Sequence, residues 1–228
     1  MKDPVLPGDP PVPLVLRRSA RARRITLRIS QVDGRVTLTL PAGLPASEAM
    51  NFAREKEPWI RGHLAARGGD ILVGHGARIP VEGRILPVVP GGGRSVGWTA
   101  DGIAVPGPAE TVGRKLLVQL KGLARDRLAA ACDEYADRLG RPFDRITLRD
   151  TRSRWGSCTS DGGLMFSWRL IMSPPEVLRY VAAHEIAHLE EMNHSPAFWQ
   201  VVQRIHGDHR PYRNWLREHG ADLHRYRF

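Results

Sequence analysis

Apolar and polar residues alternate in two stretches near the start of the chain. Ile25, Leu27 and Ile29 alternate with Thr26, Arg28 and Ser30, and Val36, Leu38 and Leu40 alternate with Thr37 and Thr39. Asp33-Gly34 between them is a favoured tight-turn pair, so the pattern predicts a β-hairpin with one buried face. From Ala46 to Ala66 the period changes. Ala49, Phe52, Ala53, Trp59, Ile60 and Leu64 recur at helical spacing, with a kink or restart expected at Pro58. Short strands are predicted around Ile71-Val73, Ala77-Val81 and Arg84-Val89, the last two joined at Glu82-Gly83. A small hairpin of Ser95-Thr99 and Ile103-Val105 turns at Asp101-Gly102. Pro106 to Pro108 breaks the pattern, and a domain boundary is expected there.

The second half is patterned differently. Thr111 to Leu139 is a long amphipathic helix with Leu116, Leu117, Leu120, Leu123, Leu128, Cys132 and Tyr135 as core candidates, ended by Gly140 and Pro142. A short strand, Arg145-Arg149, precedes a loop, Asp150 to Gly163, and a second strand, Leu164 to Ile171. Ser173-Pro174-Pro175-Glu176 then reads as a helix start, with a serine cap, an early proline and a glutamate three residues on. The expected fold class is α+β. A flexible lead-in (1–13) and a β-rich N-terminal region (14–108) precede a helix-rich C-terminal domain (109–228).

Composition narrows the function classes. No apolar stretch approaches the length of a bilayer span, and Met1 to Pro13 lacks the basic start and apolar centre of a secretory signal. A cytoplasmic protein is expected. The two cysteines, Cys132 and Cys158, do not make a disulfide framework. The formal net charge is +10, and Arg17, Arg18, Arg21, Arg23, Arg24 and Arg28 cluster ahead of and within the first hairpin. Such a field attracts polyanions, and non-specific nucleic acid is a candidate partner. An arginine bias of this kind also arises from a GC-rich genome, so charge alone leaves the partner open.

The chemistry concentrates on one helix, at His184-Glu185-Ile186-Ala187-His188. Histidines at i and i+4 lie one turn apart on one face and can reach a single ion, and the glutamate beside the first can act on a water without ligating metal. His194 follows six residues later. Asn193 is a residue that tolerates the left-handed backbone of a helix end, and Ser195-Pro196 starts a further helix, so His194 is expected to fold back as a third ligand. The histidine spacing equals that of the metzincins, but Glu191 stands where their pattern has glycine. No methionine lies beyond Met192 to make their methionine turn, so an ordinary metzincin is excluded. Tyr180, Glu190, Glu191, His206 and His209 are possible supporting residues. Arg152, Arg154 and Tyr180 are candidate oxyanion donors.

Arg154-Trp155-Gly156-Ser157-Cys158, the strand from Gly163 to Leu170, the His-Glu-x-x-His helix and Asn193-His194-Ser195 with Phe198-Trp199 together resemble the YgjP-like bacterial metallopeptidases. These are related to the SprT-like and Wss1-like (WLM) zinc peptidases. The resemblance implies a zincin-like C-terminal domain, zinc held by His184, His188 and His194, and Glu185 as the catalytic residue. Where many members have asparagine, this chain has Ser167. The implied function is hydrolysis of peptide bonds by a zinc-activated water with Glu185 as general base. Two alternatives stand beside it. One is a basic nucleic-acid-associated protein with structural zinc, and the other is a peptidase acting on DNA-bound proteins.

Overall fold

The computed structural model describes residues 4–99 and 101–228. They form two compact units, Met1–Gly69 and Asp70–Phe228. The first unit is a four-stranded sheet in the order β1-β2-β4-β3, formed by β1 (Val5–Leu6), β2 (Val12–Ser19), β3 (Thr26–Ile29) and β4 (Val36–Pro41). The predicted hairpin is β3 and β4, antiparallel with Leu27 opposite Leu38. Two helices follow, α1 (Ala46–Glu55) and α2 (Glu57–Arg67). Pro58 falls in the first turn of α2, where its missing N–H costs no helical bond, so the helix restarts rather than bends. Leu6, Val12, Leu14, Val36, Leu38, Ala53 and Ile60 make this unit's core.

The expected lead-in is corrected here. Residues 1–3 lie outside the described residues, but Val5–Leu6 and Val12–Ser19 are strands, and Leu6 and Leu14 are completely buried. The proline-rich spacing hid two short apolar segments that only a sheet partner makes visible.

The second unit holds β5 (Ile71–Leu72), β6 (Arg78–Val81), β7 (Arg84–Gly91), β8 (Gly97–Trp98) and β9 (Ile103–Pro106), then the long helix α3 (Ala109–Leu139). Strands β6-β7-β9-β8 form one sheet in that order. The β6–β7 turn at Glu82-Gly83 has φ of 48° and 76°, the two positive values that a tight hairpin matching the strand twist demands. The boundary expected at residues 106–108 is not where the units divide. Ile79, Val88, Ile103 and Val105 share one core with Val112, Leu116 and Leu120 of α3, so the strands before Pro106 belong with the helix after it.

A second sheet, in the order β10-β12-β11, is built from β10 (Arg145–Arg149), β11 (Gly156–Cys158) and β12 (Gly163–Ser167). The expected loop over 150–163 thus contains a strand. The expected strand over 164–171 ends early, because Trp168–Met172 is a 3₁₀ turn. Those five residues are all buried, and a continuous buried run carries no period to separate strand from tight helix. Arg169 within the turn donates to the carbonyls of Leu223 and Tyr226 and to both carboxylate oxygens of Asp150. Helices α4 (Pro175–Ala187), α5 (Pro196–Ile205) and α6 (Arg210–His219) follow, and β13 (Tyr226–Arg227) pairs with β5. Ser173 does not cap α4, since its hydroxyl donates back to the Leu170 carbonyl. No helix among the described residues is long and apolar enough to cross a membrane.

Candidate functional site

Helix α4 is surrounded on most sides. Val177, Leu178, Val181, Ala182, Ala183, Ile186 and Ala187 are buried, and the alanines allow close approach of its neighbours. His184 and Glu185 therefore have little freedom of position. His188 ends the helix in right-handed geometry. The chain returns through residues 189–195 and delivers His194 to the same place. The turn does not use a left-handed asparagine. Asn193 instead accepts the Ser195 N–H on its side-chain oxygen at 3.0 Å. Ser195 caps α5 by accepting the Phe198 N–H at 3.4 Å, as the sequence predicted.

The structure thus brings His184, His188 and His194 together, with one ring nitrogen from each within 4.8 Å of the others. The Nε2 atoms of His184 and His194 are 3.0 Å apart. His188 Nδ1 lies 2.9 Å from the Glu191 carbonyl, which fixes its N–H there and leaves Nε2 for the cluster. Glu191 thus supports the site through its backbone, while the Glu190 carboxylate is engaged by Arg204 at 2.7 Å. Burial pushes His184 down to about 3, assisted by His188 and His194. Burial also lowers His188, opposed by its bond to Glu191. Both are neutral at physiological pH, the form that can hold a metal ion.

Glu185 is only 5% exposed and faces a cleft of about 700 Å³ that the three histidines also line. Burial raises its carboxyl to about 8, with the Arg154 guanidinium pulling the other way. Strand β11 runs directly against it. A Cβ at Gly156 would sit 2.5 Å from Glu185 Oε1 and 2.7 Å from Cγ, so only glycine lets the strand come this close. This gives the Trp-Gly-Ser-Cys run a physical role. Trp155 packs against Gly220, where an added Cβ would meet its ring at 2.8 Å, and against His224 at 5.4 Å between ring centroids. Gly156 passes Glu185, and Ser157 and Cys158 continue the wall of the cleft. Ser167, the departure from the usual asparagine, is fully buried.

Tyr180 and Arg154 also line the cleft, but Arg152 is not in its lining. Burial lifts the Tyr180 hydroxyl to about 12, so it stays a hydrogen-bond donor. His209 stacks on Trp199 at 4.4 Å, and His206 packs between Tyr135 and Tyr212, so both belong to an aromatic wall outside the cluster. Cys158 lines the cleft but is not one of the grouped metal-binding side chains, and neither cysteine is in a disulfide. Sequence reasoning missed Arg213, Leu216 and Arg217, which close the cleft from α6. Their i, i+3, i+4 spacing marks one helix face, but nothing in the sequence says which neighbour that face meets.

The YgjP-like metallopeptidase-domain model matches residues 23–219. No curated protein matches the chain. Among solved structures, the metallopeptidase zymogen of Pyrococcus abyssi abylysin aligns at 21% identity over 41% of this chain and 92% of its own, with a TM-score of 0.36. With the family model spanning both units and the whole of the histidine cleft, this chain belongs to the YgjP-like family and carries its metallopeptidase domain.

Proposed function

We propose that the chain is a zinc-dependent peptidase with His184, His188 and His194 as metal ligands and Glu185 as general base. One observation carries the proposal: three imidazole nitrogens converge within 4.8 Å beside a buried carboxyl group on the same cleft. The donor set fits zinc. Tetrahedral ligation at about 2.0–2.1 Å separates two nitrogens by roughly 3.3 Å, close to the 3.0 Å between His184 and His194 Nε2. Three histidines also leave a coordination position free, whereas closed structural sites usually take four protein ligands, often cysteines. That difference disfavours a purely structural metal.

Bound zinc would supply Lewis acidity, making water a better nucleophile and polarising the scissile carbonyl. The remaining work falls to the chain's own residues. Strand β11 is the edge of its sheet, and its register leaves the N–H and C=O groups of Gly156 and Cys158 pointing away from β12. An extended peptide can pair there as an added strand. The charge of a bound zinc would favour the ionised form of Glu185, which burial alone disfavours, and this carboxylate takes a proton from the attacking water as the new C–O bond forms. It then gives that proton to the departing nitrogen as the C–N bond breaks. Tyr180 and Arg154 line the same cleft, which supports their hydroxyl and guanidinium as the donors to the developing oxyanion.

Metal analysis with a hydrolysis assay tests the proposal. The expected result is one zinc per chain, loss of both metal and peptide hydrolysis in a His184→Ala, His188→Ala double variant, and recovery of chelated wild type on zinc addition. Hydrolysis that persists in fully metal-free protein overturns it.

A further inference from the structure

The cleft carries more positive charge than the proposed hydrolysis uses, because Arg213 and Arg217 have no part in it. Arg213 and Arg217 stand four residues apart on α6, so their side chains share one face, and both line the cleft. Arg154 faces the same space from the approach to β11. All three are exposed. Among the described residues none of them has a carboxylate within ion-pair distance, whereas Arg210 on the same helix is paired to Asp208 at 2.8 Å. The Arg213 guanidinium lies over the Trp199 ring, 5.1 Å from its centroid, which restrains a long side chain at the cleft wall. Among the described residues the only carboxyl group in the lining is that of Glu185, which is buried.

Such a cleft is tuned to anions. Walls of one sign focus the field into the space between them. Guanidinium groups match carboxylates in shape and bind them through two parallel N–H donors. We propose that Arg213 and Arg217 form a subsite for a carboxylate of the substrate, so that the preferred peptide carries an acidic side chain or a free C-terminus close to the bond cut. The subsite deepens the peptidase function proposed above and rests on it, but its binding can be measured without turnover.

The test uses the full-length, zinc-loaded Glu185→Gln protein and a matched set of labelled peptides read by fluorescence anisotropy. Peptides differ at one internal position (Glu, Gln or Lys) and at the C-terminus (free or amidated). Binding about tenfold tighter for Glu over Gln assigns the subsite to a side chain, and the same advantage for free over amidated ends assigns it to the terminus. The advantage should shrink in salt, vanish in an Arg213→Gln, Arg217→Gln protein and survive in part with lysine at both positions. With Arg213→Glu, Arg217→Glu, the preference should turn to the Lys peptide. Equal binding of all peptides, or an acidic preference untouched by the glutamine pair, overturns the proposal. So does a phosphodiester oligonucleotide that outcompetes every peptide through the same two arginines. The wild-type protein is then tested for cleavage of the same peptides. A carboxylate preference in binding with no cleavage leaves the subsite standing and removes the peptidase function.

Discussion

Gly156→Ala is the sharpest test of how the cleft is built. The added methyl carbon would lie 2.5 Å from Glu185 Oε1, 2.7 Å from Cγ and 2.8 Å from Cδ. Ordinary van der Waals contact begins near 3.4 Å. The carboxylate or the strand must therefore give by about 0.9 Å, the difference between 3.4 and 2.5 Å. The strand is held by β12 through register pairs at Gly156, Ser157 and Cys158, and Ser167 N–H bonds to the Trp155 carbonyl at 2.8 Å. Helix α4 is packed on most sides. The Glu185 side chain is the part with freedom to move, so the methyl group displaces the carboxylate by roughly 1 Å. A shift of that size costs about a hundredfold in rate where a general base must meet a water. Overpacking should also lower stability by about 1–3 kcal/mol. The three atoms nearest the methyl all belong to Glu185 and none to a histidine, so zinc content should stay near that of the wild type. Steady-state kinetics, metal analysis and urea unfolding on the same preparation read all three quantities. A Gly156→Ala protein with wild-type kcat would refute the argument that this strand fixes the carboxylate.

Further expectations follow from other parts of the molecule. Arg169, 5% exposed, holds the Leu223 and Tyr226 carbonyls and Asp150, so Arg169→Ala should destabilise by about 3 kcal/mol in urea unfolding, and a loss below about 1 kcal/mol would contradict its structural role. His224, 3% exposed, is held at about 4 by burial and the Arg169 guanidinium, below its ordinary 6.5. The unfolded chain takes up this proton first, so stability present above pH 6.5 is lost as pH falls towards 4, by about 3 kcal/mol from this group. A His224→Gln protein should show a flatter stability profile across that window, and an unchanged slope would reject the assignment. The exposed arginines of the first unit, Arg17, Arg21, Arg23, Arg24 and Arg28, should bind DNA and RNA weakly and without sequence preference, with affinity falling steeply as salt rises. Binding that ignores salt would exclude a phosphate-neutralising surface.

The sequence carried the local parts of this account and not the distant ones. The i, i+4 histidines and the Ser-Pro start of α5 are set by a few consecutive residues, and the structure brings His194 to the pair as the spacing predicted. The hairpin of β3 and β4 was equally legible, because one face is buried and its alternation is unbroken. Pairing between distant segments was hidden. Strands β1 and β11 span two and three residues, too few to show a period, and each is defined by its partner strand. Proline and glycine at 106–108 suggest a boundary, but Val105 and Val112 on either side enter one core. Two arginines four residues apart on α6 read as an ordinary solvent face, and only packing shows that they wall the cleft.

Glu185 decides the central claim. In a Glu185→Gln protein the side chain keeps its size and polarity but cannot accept a proton, while His184, His188 and His194 are untouched. Peptide hydrolysis by wild type and variant, compared at equal measured zinc content, is the most direct test. Loss of roughly a hundredfold to ten-thousandfold in kcat with zinc retained is the predicted result. Wild-type turnover in the fully metallated variant would contradict the assignment of Glu185 as general base.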